Sequence, residues 1–217
     1  MMPAFPDLPP PLQVASGYAL PADRAAWATL FRLDQHLGSL TAQAREPLLA
    51  QVRLAWWRDA LASAGAPHAA REPLLIDAGE HLAGMGAALA GLASGWECLL
   101  GDAPLPSAMT REYLDLRSAA FANMAQQVGH PDAFAAARIA ADWWVAGDSW
   151  SRLSDSEERA QIASLASAMP SPAKLPRALR SLAVLGALGE RAIRLRQPVF
   201  DGRGAALLAL RLGLFGR

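Results

Sequence analysis

Only one cysteine, Cys98, occurs in the 217 residues, which excludes an internal disulfide framework and a cysteine-built zinc cage. No uninterrupted apolar run reaches the roughly 18 residues of a spanning helix. Convincing runs of alternating apolar and polar residues are missing, and so is an internal repeat on the order of 20 to 50 residues, so neither a sheet nor a solenoid is expected. No glycine-rich phosphate loop, HExxH, GxSxG or paired CxxC is present, and His36, His68, His81 and His130 are scattered without metal-set spacing. One more absence bears on chemistry: no Asp or Glu is followed four residues later by another Asp or Glu. Residues four apart share a helix face, so no helix presents carboxylates paired at that spacing to hold a divalent metal.

What is present reads as helix. Hydrophobic residues make up 53% of the chain, enough for one substantial core in a single soluble domain. The opening MMPAFPDLPPPLQ has no basic stretch followed by an apolar one, so no secretory signal is expected and the cytoplasm is the expected compartment. Residues 3 to 12 are rich in proline, which supplies no backbone donor, and are expected to form an extended arm over residues 1–20, ahead of the helical domain at 21–217. The spacing of Trp27, Leu30, Phe31, Leu33, Leu37 and Leu40 predicts a helix over 22–42. Glu46-Pro47 opens a second, expected to bury Leu48, Leu49, Val52, Ala55, Trp56 and Leu61 and to stop at Gly65 to Pro67. A third region, 73–100, carries Gly79, Gly84, Gly86, Gly91 and Gly95, which mark close contacts or a break. Further helices are expected over 110–128, 131–152, 155–169, 176–195 and 204–214, the 155–169 helix capped by Ser154 or Ser156.

Several residues stand out chemically. Asp34 and His36 interrupt an apolar helix and either line a polar pocket or form a solvent-facing or hydrogen-bonded pair. Trp56 and Trp57, and again Trp143 and Trp144, either line a tunnel or pack in the core; neighbours in sequence cannot both face one tunnel. Arg53 and Arg58 flank the first tryptophan pair and suit a phosphate or a salt bridge, for instance to Asp59. Asp142 and Asp148 are six residues apart and fall on different faces, Asp142 followed four on by Ala146 and Asp148 by Arg152. Cys98 has no recognisable partner and reads as inert.

Residues 27 to 61, WATLFRLDQHLGSLTAQAREPLLAQVRLAWWRDAL, with GLASGWECLLGD (91–102), IAADWWVAGDSW (139–150) and LPRALRSLAVLGALGERAI (175–193), resemble the squalene/phytoene synthase family over nearly the whole chain after residue 15. The most specific piece is RLAWWRDAL, 53–61. The resemblance implies an all-α bundle of the isoprenoid synthase type. Enzymes of that family carry Asp-x-x-x-Asp on two opposed helices for magnesium diphosphate, whereas here Asp34 is followed four on by Gly38 and His36 by Leu40. This is a short form without the acidic motifs, similar in that respect to the respiratory complex I assembly factor of the same family. The implied function is non-catalytic: isoprenoid or lipid binding, or a scaffold for a protein partner. The alternative is an active magnesium-dependent transferase joining two allylic diphosphates head to head, with Asp34, Asp142 or Asp148 as remaining ligands. No catalytic residue, metal ligand or cofactor is assigned, magnesium entering only with that alternative. Candidate ligand-binding residues are Asp34, His36, Arg53, Trp57, Asp142 and Trp143.

Charge is balanced overall, with 20 basic and 20 acidic residues, but unevenly along the chain. From Lys174 onward nine residues are basic and only Glu190 and Asp201 are acidic. Such a segment suits an anionic lipid surface, placing the protein at the inner face of the membrane, or attraction to the acidic remainder of the same molecule. Nucleic acid is not expected, because no aromatic residues interleave these arginines. The end of the chain, RGAALLALRLGLFGR, is expected to dock on the bundle or lie on a membrane.

Overall fold

A computed structural model describes residues 7–44, 46–63 and 71–216, and within them every regular element is helical. In chain order the helices are α1 (Pro10–Gly17), α2 (Arg24–Ala42), α3 (Pro47–Ala62), α4 (Pro73–His81), α5 (Gly86–Glu97), α6 (Ser107–Ala122), α7 (Met124–Gln127), α8 (Phe134–Arg152), α9 (Ser156–Ser167), α10 (Arg180–Leu195) and α11 (Gly202–Phe215). Neighbours pack in the sequence α3, α5, α6, α8, α10, α11, with α2 laid across α3, α4 and α5 and α1 against α10. The all-α expectation holds. Among the described residues no helix is long and apolar enough to cross a membrane.

Three differences from the sequence reading have clear causes. From Pro10 onward the expected arm is not extended: α1 begins there, and Leu12 and Ala15 are buried in the core beside Leu8, while residues 1–6 lie outside the described residues. Its prolines occupy the N-cap and the first helical positions, where a backbone donor would be unpaired anyway. Ser181 on α10 donates to the Ala15 carbonyl at 2.9 Å and ties the segment down. The second difference concerns α3, which turns Ala50, Leu54, Trp57 and Leu61 inward and leaves Leu48, Leu49, Val52 and Trp56 exposed. Both sets repeat at helical spacing, so periodicity alone could not choose between them. Third, the cap of α9 is Asp155 itself, whose Oδ1 accepts from the backbone N–H groups of Glu157 and Glu158 at 2.8 and 3.0 Å. The proposed stop of α3 at Gly65 to Pro67 lies outside the described residues.

The glycine-rich third region splits at Leu82–Met85 into α4 and α5, with Gly84 at φ +90°. Glycines have a different role where α8 meets α10. A Cβ at Gly189 would lie 2.0 Å from the Trp143 carbonyl oxygen, and one at Gly147 would lie 2.4 Å from the Gly189 Cα. Here two backbones touch, an approach closed to any residue with a side chain. That contact sets the height of α8 against α10 and so the position of Asp148, one residue beyond Gly147.

Candidate functional site

At the centre of the bundle lies an arginine that the sequence reading passed over. Arg117 is on α6, in the inward stripe Thr110, Tyr113, Leu114, Arg117, Phe121, and is fully buried. Its Nε donates to Asp34 Oδ1 at 2.8 Å and its Nη2 to Asp34 Oδ2 at 2.7 Å, the two-pronged geometry that makes arginine–carboxylate pairs strong. The same Nη2 donates to Asp148 Oδ2 at 2.6 Å. Nη1 donates to the Tyr113 hydroxyl at 3.0 Å and to Ser149 Oγ at 3.4 Å. One guanidinium therefore joins α2, α6 and α8.

Further partners come from α5 and from the end of α8. Trp96 on α5 donates its indole N–H to Asp34 Oδ1 at 3.0 Å, with its ring 4.8 Å from the Arg117 guanidinium carbon. It reaches Asp34 because residue 38, one turn further along α2, is glycine: a Cβ there would come within 2.8 Å of the Trp96 ring. Arg152, four residues after Asp148, donates to Asp148 Oδ2 at 3.0 Å and to Gln35 Oε1 at 3.1 Å. Two carboxylates thus face two guanidiniums, and the cluster is close to neutral, as burial demands.

The electrostatics make this a lock rather than a reactive centre. Burial pushes the Asp148 carboxyl up, but the Arg117 and Arg152 guanidiniums outweigh it and hold the group below the ordinary carboxylate value. A carboxylate so stabilised is a weak base, and arginine does not give up its proton. Burial pushes the Tyr113 hydroxyl up, which keeps it protonated at neutral pH. Magnesium does not fit these residues: both aspartates are already engaged by cations, and among the described residues no group of three or more His, Cys, Asp or Glu could hold a metal ion.

The depressed Asp148 value has a signed consequence. Its stabilising contribution is complete above the ordinary carboxylate range of about pH 4, and below that the unfolded chain takes up the proton first. Stability is expected to fall as pH drops through this range until the folded carboxyl also protonates. Urea midpoints against pH should show a weaker acid slope for Asp148→Asn than for the parent. Identical slopes would remove Asp148 from the account.

Beside the cluster opens a cavity of about 270 Å³, lined by residues that include Gly38, Trp96, Leu99, Leu105, Tyr113 and Ile162. Its walls are mainly apolar, with Thr41, Thr110, Tyr113, Ser149, Arg152 and Glu158 as polar lining residues. Glu158 is itself anchored, accepting from the Leu105 backbone N–H at 3.0 Å.

Of the residues singled out from sequence as ligand-binding candidates, Asp34 belongs to this cluster; Asp148, considered there only as a residual metal ligand, joins it. The others lie elsewhere. His36 packs against Trp57 with the rings tilted 58° and their centroids 4.8 Å apart, and burial lowers its pKa despite the opposing field of Glu72. Trp57 is buried against α3's neighbours while Trp56 stays exposed. Arg53 is exposed on α3, beside a surface depression that includes Ser39, Gln43 and Leu49. Asp142 pairs with Arg138 at 2.8 Å, and Arg138 also pairs with Asp115. Trp143 donates its indole N–H to the Pro170 carbonyl at 2.8 Å, on the side of α8 that faces Arg194. Cys98 is buried, and its thiol is pushed up by burial and by Glu112 and Glu97, so little thiolate forms.

Arg117, Trp96, Tyr113 and Ser149 were missed. The available signal was an arginine at a core-spaced position of α6, together with two isolated aspartates on apolar helices that had no acidic partner of their own. Comparison with known proteins returned nothing: no family model matches the chain, and no curated protein or solved structure is significantly similar to it.

Proposed function

We propose that this chain is a non-catalytic bundle of the squalene/phytoene synthase type, which holds a single isoprenoid or similar apolar chain in the cavity beside Arg117. The observation that carries this reading is the guanidinium between Asp34 and Asp148. Ionising an allylic diphosphate requires metal ions shared by opposed carboxylates, which stabilise the departing charge. Here the two opposed carboxylates are saturated by internal cations. The positions four residues on, where a second carboxylate would sit on the same face, hold Gly38, which admits Trp96, and Arg152, which adds a positive charge. The isoprenoid synthase assignment rests on the sequence resemblance and on the all-helical architecture.

Size points the same way. A condensing enzyme must hold two prenyl chains together, and about 270 Å³ lies just below the usual range of ligand cavities. One short apolar chain fits the walls formed by Leu99, Leu105 and Ile162, with Tyr113, Ser149 or Arg152 available to a hydroxyl or other polar end.

Incubating the purified protein with farnesyl and geranylgeranyl diphosphates plus magnesium, followed by lipid extraction, is expected to give no condensation product above a protein-free control. Turnover that disappears in Asp34→Asn would instead establish the transferase. Binding is tested separately by calorimetric titration with farnesol, which should saturate at one equivalent in the parent and be lost in Thr41→Phe, whose ring would enter the cavity. Absence of farnesol binding by the parent would refute the ligand while leaving the catalytic question to the first assay.

A further inference from the structure

A second cleft, of about 510 Å³, lies between α10, α11 and the loop at 172–175. Its cationic lining residues are Lys174, Arg191, Arg194 and Arg211, and its one acidic lining residue, Glu190, is already paired with Arg194 at 2.6 Å. Arg191 donates through Nη2 to Gln197 at 3.0 Å, but its Nη1 is buried without a hydrogen-bond partner. A guanidinium nitrogen withdrawn from water and left unpaired is costly, and it marks a place for an acceptor. Lys174 and Arg211 are exposed and make no ion pair or hydrogen bond among the described residues. Among the described residues the cleft therefore carries surplus positive charge, with Glu190 as its one acidic lining residue.

The walls are apolar: Leu175, Leu195, Leu208 and Leu212 line the same cleft. On α11, Ala205, Ala209 and Gly213 face the bundle, with Gly213 seated against the Tyr18 ring. Leu207, Leu210, Leu214 and Phe215 remain exposed on the other side. At the angular spacing of a helix, Arg211 falls between this outer stripe and the cleft leucines. Charge and apolar surface are thus arranged as an interfacial helix requires, with cations at the level of head groups and leucines turned outward.

We propose that this face binds an anionic phospholipid surface, with a lipid phosphate entering the cleft to meet Arg191 and Arg211 while Leu207, Leu210, Leu214 and Phe215 enter the head-group boundary. The site is separate from the central cavity and does not depend on what that cavity holds. The positive sign of the lining disfavours cationic partners, and the exposed leucines favour a lipid layer over a small soluble phosphate.

The test is vesicle flotation of the full chain. The parent should float with phosphatidylcholine mixed with phosphatidylglycerol, fail to float with phosphatidylcholine alone, and detach as salt is raised, because screening weakens the attraction. Lys174→Gln with Arg211→Gln removes two exposed, unpaired charges without touching the core. It should lower partitioning by about thirtyfold, since each basic residue near an anionic surface contributes about fivefold. Leu207→Asp with Leu214→Asp should abolish flotation while leaving circular dichroism unchanged. Flotation that ignores lipid charge, persists in both variants, or is absent for the parent would overturn the proposal. So would glycerol phosphate saturating the cleft while anionic vesicles do not bind, since that outcome makes the ligand a free phosphate.

Discussion

Arg117→Met is expected to destabilise the protein by about 3–5 kcal/mol, the usual effect of removing one partner from a buried ion pair. Asp34 is completely inaccessible and would retain the Trp96 indole N–H and the long contact from Gln35, while Asp148 would keep Arg152. Two carboxylates would then sit in the core with one guanidinium, and folding would have to protonate one of them or leave a net buried charge. Against a total stability of about 5–15 kcal/mol for a domain, that loss is large. Adding Asp34→Asn and Asp148→Asn to the same chain removes the charges left behind and should recover a substantial part of it, because a buried ionic group replaced as a whole is often nearly neutral. Urea unfolding of the single and triple variants measures both quantities. A single variant within about 1 kcal/mol of the parent would mean that the cluster contributes no more than a surface pair.

The second large effect is expected at the contact between α8 and α10. Gly189→Ala places a methyl 2.0 Å from the Trp143 carbonyl oxygen and 2.9 Å from the Trp144 Cα, against backbone that has no side-chain freedom to yield. The helices must separate, at a cost of about 3 kcal/mol or more, the upper end of overpacking penalties. Helix propensity works in the other direction, favouring alanine over glycine by about 1 kcal/mol. Gly79→Ala in α4 isolates that second term, because nothing lies within 4 Å of its added methyl. Thermal midpoints should therefore move in opposite directions, down for Gly189→Ala and up for Gly79→Ala. If both rise, the close approach of α8 and α10 is wrong.

The two variants also divide what was readable in advance from what was not. Pro47 at the start of α3, the break among the glycines between α4 and α5, and the helix carrying Asp34 follow from local rules of propensity, capping and spacing. The identity of the buried face of α3 did not, because Leu48, Val52 and Trp56 repeat as regularly as Leu54, Trp57 and Leu61. An exposed apolar stripe can be recognised only once the neighbouring helix is in place. Likewise the prolines before residue 12 carry two local meanings, extended chain or first helical turn, and burial of Leu12 and Ala15 against the core decided for the second.

The central cluster shows the same division more sharply. That neither Asp34 nor Asp148 is followed four residues on by a second carboxylate was already written in the chain, since a spacing of four residues is a property of one helix and needs no partner to be read. It is the basis for expecting no metal cluster. What occupies the space instead is decided by Arg117, 83 residues from Asp34 and 31 from Asp148. No local rule connects residues so far apart. Their meeting depends on α6 packing between α5 and α8, on Gly38 leaving room for Trp96, and on Gly147 and Gly189 bringing α8 against α10. The sequence by itself determined helices, the missing carboxylate pairs and a basic end. Only the tertiary structure turned two isolated aspartates, an unremarked arginine and Arg152 at the cluster's edge into one nearly neutral group, because pairing in the core is a matter of distance in space, and in a helical bundle that distance is set by the packing of different helices rather than by position along the chain.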